Sequence, residues 1–274
     1  MVLIVGHSGF LGSHLYQRFP KAFCINSSGM TRFGSVLNFR AEELIKSGDV
    51  KTVLYSAVSY NENDPTELRN VNFIWPKQLL QTCAEHHAKF VYFGSFFEKH
   101  AGAFRRSYIQ SKLDMRRFME QLDYKNSHYV RLEHIYGTND GPTKFIPSLV
   151  RNIVQGREIC LNDPLTVRDF TPVEYVIDTI DALISEKFDE NFFELGAGYP
   201  QVTLSFVKKV VATIHENSPC RISETIDAIQ LKDIPSDVVR FSYAKNAPLR
   251  KEMTPFRFAA LEYETINSIR RSIC

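Results

Sequence analysis

Two stretches of this 274-residue chain combine residue types and spacings that could do chemistry: a glycine-rich turn and a tyrosine–lysine pair. Gly6-His7-Ser8-Gly9-Phe10-Leu11-Gly12 follows the apolar run Met1–Val5 and opens a helical pattern, which is the context a dinucleotide site requires. The first glycine permits a tight turn, the second lets backbone N–H groups approach a pyrophosphate, and the third allows close helix packing. A phosphate would then sit at the positive end of that helix. Gly6, Ser8, Gly9, Phe10, Leu11 and Gly12 are therefore candidate cofactor-binding residues; the plain alternative is a strand–helix turn that merely needs glycine. Tyr108-Ile109-Gln110-Ser111-Lys112 places a phenol and an ammonium four residues apart, on one face of a helix. A nearby cation lowers a phenol's pKa, so Lys112 is expected to let Tyr108 exchange a proton with a substrate oxygen near neutral pH. With 12 Tyr in the chain, roughly 0.7 such pairs arise by chance. Position carries more than spacing here, because this single Tyr-x-x-x-Lys falls on the helix after a predicted strand.

The elements that must position these groups read as alternating β and α. Val2–Val5 is a strand, followed by a helix over 12–19 and strands over 22–26, near 36–39 and over 52–57. A helix follows over 75–86, then a strand at 90–93, a long helix over 107–122 and a sixth strand over 128–132. That order predicts a Rossmann-type doubly wound parallel sheet. From Tyr136 the pattern loosens, with helices over 146–155, 173–184 and 204–216, and a strand at 192–195 before Gly196-Ala197-Gly198. The expected organisation is a dinucleotide-binding domain over 1–137, completed by about 166–195. A smaller C-terminal α/β substrate lobe over 138–165 and 196–274 would lie at the C-terminal edge of the sheet.

Composition narrows the function classes. Lys+Arg number 33 against 31 Asp+Glu, a net charge of +2 that gives no electrostatic case for nucleic acid or an anionic membrane. No apolar run approaches the roughly 20 residues that span a bilayer, and the first one lacks a basic leader, so the expectation is a cytoplasmic protein. Five scattered cysteines, none in a Cys-x-x-Cys pair, argue against a disulfide framework or a zinc site. The expected metal set is none. After the second strand the chain reads Cys24-Ile25-Asn26-Ser27-Ser28-Gly29-Met30-Thr31-Arg32, with no carboxylate to accept hydrogen bonds from a ribose 2′-OH. Asn26, Ser27 and Ser28 can donate to a 2′-phosphate and Arg32 can add charge, so NADP(H) is favoured over NAD(H).

At this point the sequence resembles the extended short-chain dehydrogenase/reductases, also called the NAD-dependent epimerase/dehydratase family, which act mostly on nucleotide-linked sugars. Gly6, Gly9 and Gly12 match the family's glycine fingerprint, Tyr108 and Lys112 its catalytic pair, and Asn72 its fourth-strand asparagine. Arg131–Gly137, Phe145-Ile146-Pro147, Val167–Phe170 and Glu194–Gly198 resemble its later segments. The likeness includes the subfamily of CDP-abequose and CDP-paratose synthases. It implies a reductase that delivers hydride from NADPH to the C4 ketone of a nucleotide-bound deoxysugar, with Tyr108 as proton donor. On the same resemblance Ser56, Ala57, Asn72, Tyr108 and Lys112 join the cofactor-binding set, and Asn72 supports the lysine. Phe96, Phe97, Lys144, Phe145, Arg168 and Arg240 are substrate-binding candidates, with Arg168 on the sugar nucleotide's pyrophosphate. A homodimer through the 107–122 helix is also implied.

Two departures stand out. The family places a Ser or Thr just after the fifth strand; here Val91-Tyr92-Phe93-Gly94-Ser95-Phe96-Phe97 aligns Phe93 there, with Ser95 the nearby hydroxyl for the catalytic role. A second phosphate-binding arginine usual before a C-terminal turn is missing at Ile234-Pro235-Ser236-Asp237, where Lys232 or Arg240 would substitute. An NAD-dependent epimerase of the same fold and a non-catalytic dinucleotide-binding module remain open alternatives.

Overall fold

The computed structural model describes residues 1–25, 40–100, 106–161, 164–185, 190–216, 229–231, 241–242 and 254–273. The expected strand near 36–39 lies outside them, as do Asn26, Ser27, Ser28, Arg32, Lys232, Arg240 and the segment 234–237. The chain divides into two compact units, one over Met1–Leu132 with Ile177–Glu194, the other over Glu133–Val176 with Leu195–Cys274.

The first unit is built on a sheet that the apolar, β-branched runs dictate: β1 (Val2–Val5), β2 (Phe23–Ile25), β3 (Thr52–Tyr55), β4 (Lys89–Ser95), β5 (Ser127–Leu132) and, on the outer edge, β10 (Phe192–Leu195). The order is β10-β5-β4-β3-β1-β2, with β1 through β5 paired in parallel. Runs such as Val53-Leu54-Tyr55 and Phe90-Val91-Tyr92-Phe93 are apolar throughout because both faces of such a sheet are covered. Helices α1 (Phe10–Arg18), α2 (40–46), α3 (Pro65–Arg69), α4 (Trp75–Glu85) and α5 (Ser107–Leu122) connect the strands. Leu79, Leu80 and Cys83 of α4 and Met115 and Met119 of α5 share one core with Val53, Tyr55, Phe90 and Tyr92.

The chain runs from β1 outward to β2, then returns past β1 to β3. That reversal is a topological switch point, where open α/β sheets leave a crevice beyond the carboxyl ends of the strands. The glycine turn follows β1 there, and Ser56 and Ala57 follow β3, which ends at Tyr55 rather than running to Ala57.

Two further boundaries differ from the sequence reading in ways that matter for the site. Helix α1 starts at Phe10 with Gly9 as its N-cap, two residues before the expected start, so the helix begins inside the glycine turn. Strand β4 continues through Gly94 and Ser95, which pair with Arg131 and Leu132.

The second unit contains α6 (Phe145–Val154), α8 (Thr203–Glu216) and α9 (Pro255–Ile273), packed through Leu149, Val150, Ile153, Val207, Val210, Ile214, Ile266 and Ile269. Short strands accompany them: β6 (His134–Tyr136) pairs with β9 (Phe170–Pro172), β7 (Ile159–Leu161) with β12 (Ile229–Leu231), and β8 (Val167–Arg168) with β11 (Gln201–Val202) and β13 (Phe241–Ser242). Helix α7 (Val173–Ser185) starts in this unit and ends in the first. No described helix is long and apolar enough to cross a membrane.

Candidate active site

The turn after β1 is shaped so tightly that glycine is the only residue two of its positions accept. Gly6 has φ +89°, and a Cβ there would lie 2.5 Å from the Ala57 nitrogen. A Cβ on Gly12 would meet the Gly6 carbonyl oxygen at 2.0 Å, so α1 packs directly on the turn. Gly6 N–H donates to Ile25 O at 2.7 Å and Gly9 N–H to Gly6 O at 3.1 Å, which fixes the loop between β1 and β2. No side chain caps the first turn of α1. A bare, positively polarised helix start beside a backbone-lined cradle fits the diphosphate of a dinucleotide. Ser8 and Gly9 are exposed, Phe10 is half-buried against His14, and Leu11 is buried. The Ser56 hydroxyl donates to Val5 O at 2.9 Å, tying the ends of β1 and β3 together.

Beyond β4, the structure brings Ser95, Tyr108 and Lys112 together. Helix α5 is anchored at its start by Glu62, whose carboxylate accepts the N–H groups of Ser107 at 3.1 Å and Tyr108 at 3.0 Å. Tyr108 is buried, its ring 4.8 Å from that of Tyr60, and the Ser95 and Tyr60 hydroxyls both act on its phenol. Ser95 is the last residue of β4, paired with Leu132 of β5. Phe93 is two residues further into the sheet, and it is the Phe93 carbonyl that takes part, accepting a hydrogen bond from Lys112 Nζ at 2.9 Å. The same ammonium lies 4.4 Å from the centre of the Tyr92 ring.

The electrostatics correct one expectation. Tyr108 stands well above the ordinary phenol value, because burial outweighs everything else and Tyr60 adds to it; the Ser95 hydrogen bond opposes. The same burial pushes Lys112 down to about 7, with Glu98 opposing. Four-residue spacing foresees the proximity of cation and phenol but not how dry their surroundings are, and desolvation decides the direction. Tyr108 is therefore a neutral phenol at pH 7.

Asn72 is also corrected. It lies on no strand but in a helical segment between α3 and α4, fully buried. Its side-chain oxygen accepts Ser59 N–H at 2.9 Å, while its amide donates to Ser59 O at 2.8 Å and to Ser111 Oγ at 3.2 Å. With these bonds made and no exposure, Asn72 braces α5 one residue from Lys112 and has no surface to offer a cofactor. Ser111, which in turn donates to Tyr108 O at 2.7 Å, is the link that spacing alone does not single out.

Of the substrate-binding candidates, Phe96 and Phe97 follow Ser95 directly, half-buried, their ring centres 4.1 Å apart. Lys144 caps α6, Phe145 is 42% exposed beside Phe170, and Arg168 lies in β8 with its guanidinium donating to Val167 O; all three belong to the second unit. The sequence reading passed over Glu98, a buried acid between Phe97 and Lys99 whose burial nothing local in the sequence announces. No cluster of His, Cys, Asp and Glu able to hold a metal occurs among the described residues.

A sequence profile of the NAD dependent epimerase/dehydratase family matches residues 2–196. The chain is 26% identical over 222 residues to a CDP-abequose synthase of Salmonella muenchen, covering 72% of this chain and 74% of that protein. Among solved structures, a UDP-N-acetylglucosamine 4-epimerase from Methanobrevibacter ruminantium M1, in complex with UDP-N-acetylmuramic acid, superposes with a TM-score of 0.77 at 15% identity, over 99% of this chain and 98% of that one. A dTDP-glucose 4,6-dehydratase from Bacillus anthracis, in complex with NAD, gives 0.74 at 19% identity, over 98% and 96%. At these identities the solved structures establish a shared fold.

Proposed function

The chain belongs to the NAD dependent epimerase/dehydratase family, and from that premise we propose that it is an NADPH-dependent reductase of a nucleotide-linked 4-keto-deoxysugar. One observation carries the reading: a neutral, buried Tyr108 phenol, acted on by the Ser95 hydroxyl and set on the same helix face as Lys112. A reductase needs a proton donor at its carbonyl, and a phenol held above its ordinary pKa keeps its proton until a developing alkoxide takes it. The turn Gly6–Gly12 and Lys112 hold the cofactor in this reading, and NADPH, when bound, supplies the hydride. Tyr108 gives its proton to the ketone oxygen. Ser95 orients that oxygen and shares its charge. Lys112 favours the tyrosinate left behind, and Asn72 with Ser111 keeps α5 in register.

Similarity to a CDP-abequose synthase supports a sugar nucleotide as substrate, with Phe96 and Phe97 offering apolar surface to a deoxysugar and Lys144, Phe145 and Arg168 its further contacts. The absence of a carboxylate in the nine residues Cys24–Arg32 supports NADPH over NADH. A homodimer built on α5 is part of the same reading, and light scattering would return twice the single-chain mass.

The test is direct. The pure protein is incubated with NADPH, or NADH for comparison, and a CDP-linked 4-keto-3,6-dideoxysugar, and the nicotinamide absorbance is followed. Stoichiometric loss of NADPH is the expected result. Turnover of a sugar nucleotide without added cofactor would indicate an epimerase instead, and binding without conversion a module that only holds the dinucleotide.

A further inference from the structure

The loop after β3 carries an aromatic ring to the site that the sequence reading gave no role. Tyr60 is 56% exposed, yet its ring centre lies 4.8 Å from that of the buried Tyr108, with the two planes tilted by 37°. A single exposed tyrosine on a loose loop would carry no meaning. This one is fixed on both sides. Ser59 exchanges two hydrogen bonds with the buried Asn72 side chain, its N–H donating at 2.9 Å and its carbonyl accepting at 2.8 Å. The Asn61 amide donates to Glu67 at 3.1 Å. Glu62 N–H donates to the Tyr60 carbonyl at 3.0 Å, and the Glu62 carboxylate accepts the first two N–H groups of α5. The ring therefore rides on the same frame that sets Tyr108.

Position along α5 distinguishes the two sides of the phenol. Glu62 meets the helix at Ser107 and Tyr108, its N-terminal start. Lys112 lies one turn toward the C-terminus, its ammonium on the Phe93 carbonyl and over the Tyr92 ring. Tyr60 comes from the Glu62 loop, so it approaches Tyr108 from the helix start, away from the lysine. Tyr108 also shares an apolar cluster with Leu68 and Ile109, on which Val58 and Phe97 pack. With Lys112 serving the cofactor, the Tyr60 side is left to the molecule that takes the proton.

The chemistry of an exposed, immobile ring suits a sugar. Sugar C–H groups, polarised by neighbouring oxygens, match the negative face of an aromatic ring, and a sugar short of hydroxyls presents more of that surface. A ring already held in place gives up little freedom when a ligand covers it. We propose that Tyr60 is a specificity-determining residue that contacts the substrate, its exposed face stacking on the sugar ring whose ketone meets Tyr108. This deepens the reductase reading and rests on it for the placing of that ketone.

Binding calorimetry tests it without turnover. The CDP-linked 4-keto-3,6-dideoxysugar is titrated into the wild type, Tyr60→Ala and Tyr60→Phe in saturating NADP⁺, which cannot reduce it; CDP and NADPH are titrated separately. Tyr60→Ala should weaken the sugar nucleotide by about 5- to 10-fold, the scale of one aromatic contact. Tyr60→Phe should retain wild-type affinity, and both variants should bind CDP and NADPH as the wild type does. Should Tyr60→Ala not fold, Tyr60→Leu, which also lacks a ring face, takes its place with the same expectation. Unchanged affinity for the sugar nucleotide overturns the proposal. So does an equal loss for CDP, which would put the ring on the nucleotide, or a loss for NADPH, which would put it on the cofactor. A wild type that binds the sugar nucleotide through Tyr60 but consumes no NADPH sustains the contact and sinks the reductase reading. A wild type that consumes NADPH while Tyr60→Ala binds normally does the reverse, and a wild type that binds no CDP-linked sugar overturns both.

Discussion

Burial sets the chemistry of single residues here more than spacing does. Tyr108 and Lys112 are four residues apart on α5, and that pair was plain in the sequence. What spacing could not report is that both are almost completely dry, so the phenol rises and the ammonium falls. The lysine result has a consequence for stability. Lys112 has a folded pKa of about 7, below its value in the unfolded chain. Below pH 7 both states carry the proton and the cost of burying a charge stands in full. Between about 7 and the unfolded value, the unfolded chain binds the extra proton, so stability rises with pH. Lys112→Met removes that burden, and the variant should melt above the wild type at about pH 6 with the gap narrowing toward about pH 9. A gap that is constant across this range in calorimetry contradicts the assignment. Ser95 illustrates the other limit of local reading. Aligned on its aromatic neighbours it competes with Phe93, and pairing with β5 extends β4 to Ser95 and leaves Phe93 two residues inside the strand.

At the scale of elements, the β1–α1 turn is the part of the site most completely written in the sequence. Its three glycines, its preceding apolar run and its following helix are all local, and local patterns are what a sequence displays best. The turn is also unforgiving. Gly12→Ala would place a methyl group 2.0 Å from the Gly6 carbonyl oxygen, backbone against backbone. Relief requires α1 to move off the turn, and overpacking of this kind costs about 1–3 kcal/mol. The variant should therefore lose that much in urea denaturation and lose NADPH fluorescence enhancement with it; a wild-type midpoint would mean the turn is looser than described. By contrast, the brace formed by Asn72, Ser59 and Ser111 and the pair formed by Glu98 and Tyr129 join residues 13 to 39 positions apart. Nothing in their neighbourhoods announces these meetings. Glu98 shows in the sequence only as an acid next to Lys99, and Asn72 only through a family resemblance that placed it on the wrong element.

For the molecule as a whole, the legible half is the one whose elements alternate. The order of strand and helix up to Leu132 yields a parallel sheet, and the strands observed there fall within one or two residues of those read from the sequence, the segment near 36–39 lying outside the described residues. The later part resisted because its strands are two or three residues long and pair across large gaps, as β8 does with β11 and β13. Such strands have no periodicity to detect; the four-residue run at 192–195 and the helices over 146–155, 173–184 and 204–216, with their 3.6-residue apolar repeat, were visible in advance, whereas α9 was not. The two units together carry one central claim, that Tyr108 is the proton donor of a dinucleotide-dependent reduction. The most direct measurement compares the wild type with Tyr108→Phe for NADPH binding by fluorescence and for NADPH consumption with the ketosugar nucleotide. The account predicts a dissociation constant within a few-fold of the wild type and turnover lower by about 10²- to 10⁴-fold. Turnover equal to that of the wild type would contradict it.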